Sequence, residues 1–209
     1  MGSTDERRVK CSVVQHNVEW DRLAEFGHDV EYIKRIEQWV LGQVDEVIAV
    51  SEDDKTRMVT AGTRPEKITV VPHGVDIERF RSASSDGIRG RYEIPEDAPL
   101  LMFHGTLHYW PNTEAVRFIV ESLLPKLQAS HPELRVILAG QNPPQYYAHP
   151  AVITPGSVDD LEAHIAAADV CVCPIFAGGG TRMKLLEYMA AGKPIVTTTK
   201  GAEGIAYTA

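Results

Sequence analysis

Short apolar runs alternate along this chain with longer stretches whose apolar residues recur at helical spacing. Val9 to Val14 predicts a first strand, ending at Gln15-His16-Asn17. From about Val30 to Val44, the residues Ile33, Ile36, Trp39, Val40 and Val44 keep helical spacing and predict a helix that packs that face. Asp45 to Val50 predicts a second strand. Ser51 then opens a helix as its N-cap, with Asp54 in the place of an imperfect capping box, and Gly62 stops it. Ile68 to Val71 predicts a third strand, closed by Pro72-His73-Gly74.

Between Asp76 and about Pro99 the periodicity disappears. Ser82, Ser84, Ser85, Gly87, Gly90 and Pro95 give that stretch the composition of a linker, and the domain boundary is placed in it. Beyond it, Leu100 to His104 predicts a strand ending at Gly105, followed by a helix from about Asn112 to Gln128. Leu134 to Ala139 is the next strand, then a Pro-rich loop, a short strand at Val152-Ile153 and a helix near Asp160 to Ala168. Val170 to Cys173 predicts another strand, a helix runs from Thr181 to Ala191, and Pro194 to Thr198 predicts the last strand. Strands alternating with helices imply an α/β fold, a parallel sheet with helices on both faces. Ligands of such sheets bind beyond the carboxyl ends of the strands.

The composition, 44% hydrophobic and 24% charged over 209 residues, is that of a soluble globular chain with a real core. A net charge of −8 offers no basic face, which argues against a nucleic-acid partner. Of the three cysteines, Cys171 and Cys173 point to one face of a strand. Their spacing is no zinc pattern, so they read as free buried thiols of a reducing compartment. No apolar run approaches the roughly 18 residues of a membrane span. The opening Met1-Gly2-Ser3-Thr4-Asp5-Glu6 is too charged for a signal peptide and carries Glu6 where a myristoylation site needs Ser or Thr. A cytoplasmic location is expected.

The segment richest in chemistry is Ala177-Gly178-Gly179-Gly180-Thr181-Arg182-Met183-Lys184-Leu185-Leu186-Glu187. Holding glycines fixed after a buried strand costs roughly 0.5–1 kcal/mol each in ordering entropy. In return the backbone can come close to a ligand at a helix start, where free N–H groups and the dipole attract anions. Arg182 and Lys184 fall in the first turn, where positive charge opposes the dipole by roughly 0.3–1 kcal/mol each. A phosphate or diphosphate bound there would account for both. Met183, Leu186 and Ala190 read as an apolar stripe for the core, leaving Lys184 and Glu187 on a face toward a cleft. A plain strand-to-helix turn with a surface Lys–Glu pair remains the bland alternative.

From Pro174 through Val196 the chain resembles the donor motif of retaining GT-B glycosyltransferases of the family 4 (group 1) type, with Glu187, Ala190, Gly192, Lys193, Pro194 and Val196 in matching places. Val70 to Phe80 resembles the family's crossover segment, with His73 where asparagine is usual, and Asp45 to Ser51 the strand ahead of it. Phe103-His104-Gly105-Thr106-Leu107 with Pro111-Asn112 resembles the start of the donor domain in a sugar-transferase branch. The resemblance implies a GT-B-type Rossmann-like arrangement. Residues 1–70 would be the end of the N-terminal acceptor domain, 71–98 the inter-domain crossover, and 99–209 the donor domain, truncated at its C-terminus near Thr208-Ala209.

It also implies roles. Glu187 would bond the nucleotide ribose, backbone N–H groups from Thr181 to Lys184 would hold the diphosphate, and Gly105 would let the first loop approach the same phosphates. Val158, in Gly156-Ser157-Val158, would meet the base. His16 would face the donor sugar from the acceptor domain. Two departures stand out: Gly179 and Gly180 occupy the stretch where the motif's first glutamate belongs (at Gly179), and the loop after Gly105 lacks the usual Arg and Lys. Arg182 and Lys184 are expected to take over that charge, stabilising the leaving diphosphate together with the helix amides. His16, Arg182 and Lys184 are thus the candidate catalytic residues.

The implied reaction moves a hexosyl group from a nucleotide-diphosphate sugar with retention of configuration and without cofactor or metal, the leaving phosphate taking the acceptor's proton. The implied partners are the sugar-nucleotide donor and a saccharide or lipid-linked acceptor bound through the absent part of the acceptor domain, with the full-length parent touching the inner face of the membrane. The isolated piece is expected to bind donor weakly at best. A nucleotide-sugar epimerase of the same architecture and a non-catalytic binding remnant stay open as alternatives. A dinucleotide oxidoreductase does not fit, because no G-x-G-x-x-G follows the first strand of either part.

Overall fold

The computed structural model describes residues 9–24, 27, 29–141 and 148–205. The expectations for Met1–Glu6, most of the Pro-rich loop and Thr208-Ala209 lie outside the described residues. The chain forms two compact units. Of the described residues, those up to His73, Gly178–Thr181 and those from Gly204 onward belong to one; Gly74–Ala177 and Arg182–Glu203 belong to the other.

The first unit carries a three-stranded parallel sheet, β1 (Ser12–Gln15), β2 (Glu46–Ala49) and β3 (Ile68–Val70), in that order. The helices α1 (Glu19–Ala24), α2 (Glu31–Gln43) and α3 (Glu52–Thr60) lie between the strands in the chain. Val18, Leu41, Val44, Val47, Ala49, Met58 and Ile68 make its core. α2 appears where its periodicity predicts, but a different row of it is buried. Ile36 and Trp39 are 45% and 66% exposed, while Leu41 and Val44 are covered. The reason is Glu37, whose half-buried carboxylate turns inward to accept the backbone N–H groups of Glu19 and Trp20 and the side-chain amide of Gln15. Ser51 caps α3 through its hydroxyl, which accepts from Asp54 N at 3.1 Å. Asp54 answers the Ser51 hydroxyl at 2.7 Å, not the cap's backbone N–H as a full capping box would.

The second unit opens with two short helices, α4 (Ile77–Arg81) and α5 (Ile88–Arg91), in the stretch read as a linker. Phe80, Ile88, Ile94 and Ala98 are buried there. Arg89 donates to the carbonyls of Pro95 and Ala98 at 3.0 and 2.9 Å and to Asp169 at 3.1 Å. This stretch is packed, and it lacks periodicity only because helices of four and five residues are too short to show any.

Next comes a five-stranded parallel sheet of β4 (Leu100–His104), β5 (Arg135–Ala139), β6 (Val152–Gly156), β7 (Val170–Cys173) and β8 (Ile195–Thr197), ordered β6-β5-β4-β7-β8. The α/β class expected from alternating elements is what the chain adopts. Leu100 to Phe103 are buried without alternation, as a central parallel strand covered on both faces must be. The helix expected from Asn112 to Gln128 is three pieces: α6 (Trp110–Phe118), a π-helical turn (Ile119–Leu123) and α7 (Leu124–Gln128). Pro125 cannot donate to the helical ladder, and the wider turn before it absorbs the break. α8 (Leu161–Ala167) and α9 (Met183–Ala190) complete the unit. Among the described residues no helix is long and apolar enough to cross a membrane.

Candidate functional site

The strand order places a topological switch at β4. From it the chain moves out through β5 to β6, then returns to lay β7 against the other side of β4. A crevice opens beyond the carboxyl ends of strands at such a switch. Gly105 and Gly140, the residues after β4 and β5, form its floor. Gly105 N donates to Ala139 O at 3.0 Å, and Gly140 N to Gly156 O at 2.8 Å. Both glycines have positive φ, +152° and +147°. The strand ends therefore meet backbone to backbone, and a Cβ on Gly140 would run into the Gly105 carbonyl. Above them lies a cavity of about 310 Å³ lined by His104, Gly105, Gly140, Ser157, Val158 and neighbouring residues.

α9 supplies the charged side chains. It begins at Met183, and Arg182 is its N-cap residue, in extended conformation and with no side-chain cap. The expectation that helix starts at Thr181 and carries Arg182 within its first turn is corrected accordingly: of the two cations only Lys184 is inside the helix. The expected core stripe is corrected too. Leu185 and Tyr188 are the buried residues, whereas Met183 is 37% exposed, because the helix turns Tyr188 under His104.

Lys184 reaches back toward β4. Its Nζ donates to Asn112 Oδ1 at 2.9 Å and sits 4.1 Å from the centre of the Phe103 ring. A Cβ on Gly105 would lie 2.9 Å from that same Nζ. Burial, with the nearby Arg182 charge adding to it, lowers the Lys184 pKa from 10.5 to about 8. The ammonium end is enclosed although the residue as a whole is part-exposed. Among the described residues no carboxylate lies within ion-pair distance of it. One turn on, Glu187 Oε2 lies 3.0 Å from His104 Nε2. Both atoms are buried, and neither makes a hydrogen bond of regular geometry. Burial also pushes the His104 pKa down, which keeps its imidazole neutral.

Of the residues singled out from sequence, Gly105 and Val158 line one cavity, with Lys184 beside Gly105 and Glu187 beside His104. Gly179, Gly180 and Thr181 group with the first unit and Arg182 with the second. The buried Thr181 hydroxyl makes no hydrogen bond. His16, at the end of β1, belongs to the first unit, where its ring stacks on that of His73 with centroids 5.6 Å apart. Three residues were not foreseen as site residues: Asn112, which holds Lys184; His104, which faces Glu187; and Tyr188, whose hydroxyl accepts from His104 N at 3.2 Å. The signal for His104 was available, as a polar residue closing an otherwise apolar strand.

Comparison with known proteins agrees with this geometry. A family model for glycosyl transferases group 1 matches residues 98–208, and one for glycosyltransferase family 4 matches residues 6–79. A D-inositol 3-phosphate glycosyltransferase of Geodermatophilus obscurus is 27% identical over 186 residues, 79% of this chain and 40% of that protein. One of Mycobacterium tuberculosis is 26% identical over 81% of this chain and 37% of its own length. The chain thus spans about 40% of the length of these relatives. Among solved structures, Anabaena HepE in complex with UDP and glucose superimposes with a TM-score of 0.75 at 20% identity, covering 95% of this chain and 55% of that one. Sucrose-phosphate synthase from Thermosynechococcus elongatus does so with a TM-score of 0.70 at 18% identity, covering 94% and 52%. The structural likeness carries the GT-B fold, and the sequence model, matching more than half of its residues, places the chain in a family: it belongs to the group 1 glycosyl transferases.

Proposed function

We propose that this chain is the donor-binding part of a glycosyltransferase that moves a hexosyl group from a nucleotide-diphosphate sugar to a saccharide or lipid-linked acceptor, with retention of configuration. The observation that carries the reading is Lys184. Enclosing a cation against a phenyl ring with one amide oxygen as its partner is unfavourable unless an anion completes the site. The place where it is enclosed is the switch crevice, beside Gly105, whose missing side chain leaves room for the ammonium itself. A diphosphate fits there, and the uncapped start of α9 adds oriented N–H groups.

In this reading Arg182, Lys184 and the α9 amides neutralise charge that accumulates on the departing diphosphate, a task that needs no bound metal. The Glu187 carboxylate takes ribose hydroxyls, and Val158 borders the base. The leaving phosphate accepts the acceptor's proton, so no protein base is required. His16 belongs to the reading as a group that orients the sugar in the whole enzyme.

Calorimetric titration of the chain with UDP, GDP and ADP tests it: one of the three should bind, and binding of none would sink the reading. A second expectation concerns pH. A diphosphate completes its own ionisation near pH 6, so above pH 7.5 its phosphates no longer titrate, and any change that the base itself makes persists in Lys184→Met. With Lys184 at about 8, affinity should fall as the pH rises past that value. The loss should be roughly tenfold between pH 8 and 9.5, and Lys184→Met should flatten the profile.

A further inference from the structure

We propose that His104 is a positioning residue that sets the Glu187 carboxylate for the vicinal diol of a ribose, so that the crevice selects ribonucleotides over 2′-deoxyribonucleotides. The inference rests on the donor-binding reading above and adds a residue and a selectivity to it.

His104 stands between the cavity and Glu187. It lines the cavity with Gly105, Gly140 and Val158, and its Nε2 lies 3.0 Å from Glu187 Oε2. Neither atom has a hydrogen bond, although both are buried. Unsatisfied buried polar atoms are uncommon and costly; His104 lines the cavity with Glu187 directly behind it, so ligand hydroxyls entering there would complete the pair. Histidine is also the residue here least free to move. Tyr188, next to Glu187 on α9, accepts its backbone N–H at 3.2 Å and meets its ring edge-on, with centroids 5.2 Å apart. One aromatic residue thereby fixes both the main chain and the ring of His104 against the turn of α9 that carries Glu187.

The protonation state suits the task. An imidazolium would form an ion pair with Glu187 and consume its acceptor capacity. Burial and the Lys184 charge hold His104 neutral, so its ring backs a carboxylate oxygen at 3.0 Å without forming an ion pair, and the carboxylate keeps its charge for hydroxyl donors. Other charges near Glu187 are the Lys184 ammonium on its own helix and the Arg79 guanidinium on α4.

The test compares UDP, GDP and ADP with their 2′-deoxy counterparts by calorimetry on the 209-residue chain. The wild type should prefer the ribonucleotide by roughly tenfold, as expected for a hydroxyl bonded to a charged group. His104→Phe keeps the ring against Tyr188 and removes Nε2; it should abolish the preference, read as the ratio of the two affinities. His104→Gln restores a donor and should restore most of the preference. In the double variant with Glu187→Gln, His104→Phe should add nothing further, because His104 acts through Glu187. Should Glu187→Gln erase the preference while His104→Phe retains it, the positioning role is overturned and the donor site stands. Should no diphosphate bind the wild type, or Glu187→Gln leave the preference intact, the ribose assignment falls and this inference with it.

Discussion

Exchanging Arg182 and Lys184 together for alanine is expected to weaken nucleotide-diphosphate binding by roughly a hundredfold or more, since hydrogen bonds to charged groups contribute about 1.5–3 kcal/mol each. The two positions differ in what they give up. Arg182 is the N-cap residue of α9, outside the helix, and its removal takes away a charge near Lys184. Lys184 is enclosed against Phe103 and Asn112, so its removal should also relieve a strain that the empty site bears. Lys184→Met is therefore expected to raise the unfolding free energy of the ligand-free chain by about 1 kcal/mol, the usual size of such a gain where a site is tuned for function. The sign follows from the direction of the pKa shift. A lysine whose folded pKa is lowered from 10.5 to about 8 destabilises the fold fully below about pH 8, and that cost fades between pH 8 and 10.5. The advantage of Lys184→Met should therefore be largest at neutral pH and shrink as the pH rises. A variant that melts higher yet binds a hundredfold more weakly would mark Lys184 as a binding residue; one that melts lower and binds normally would make it structural. Thermal unfolding and calorimetry on the same samples decide between them.

Much of this was legible in the sequence, and what was not has physical causes. The central strands β4, β5 and β7 coincide with apolar runs, because a parallel strand covered on both faces has no alternation to hide it. The site lies after β4 and β7 for a reason equally visible in order: glycine at Gly105, then a glycine-rich turn ahead of α9. Faces of helices were less legible. Spacing alone made Met183, Leu186 and Ala190 the inner stripe of α9, but an eight-residue helix holds barely two turns, and the large ring of Tyr188 decides which way it rolls. Trp39 and Ile36 were misjudged on α2 for a related reason. A buried carboxylate, Glu37, satisfies the start of α1 and pulls a polar residue inward, where a pattern of apolar residues cannot show it. Arg182 and Lys184 were read as neighbours in one turn. The N-cap geometry separates them and leaves only Lys184 to face β4. Asn112 and His104 escaped because their importance lies in partners distant in the chain, Lys184 and Glu187.

Gly140→Ala should be a severely damaging small substitution, reducing both stability and nucleotide binding. At φ +147° a side chain is already strained. The added carbon would run into the carbonyl oxygen of Gly105 and lie 2.9 Å from its carbonyl carbon and 3.1 Å from Leu107 Cγ. None of these can retreat easily. The Gly105 atoms are backbone, Gly105 is itself wedged so that a Cβ would meet Lys184 Nζ and Asn112 Nδ2 at 2.9 Å, and Leu107 is fully buried. Backbone strain and overpacking of this kind cost roughly 2–4 kcal/mol. For a chain of this length, that is a fall in melting temperature of about 4 °C or more. Any relaxation must move the loop after β4, and with it the ammonium that Gly105 borders, so affinity for the diphosphate should fall by an order of magnitude. Gly90→Ala is the matching control. It lies within α5, where an added Cβ meets nothing within 4 Å and φ is not positive, so alanine should stabilise by roughly 0.5–1 kcal/mol and leave binding alone. If the Gly140 variant melted and bound like the wild type while the Gly90 variant behaved as expected, the ends of β4 and β5 could not be in backbone contact. The crevice would then lose the floor on which Lys184 is positioned.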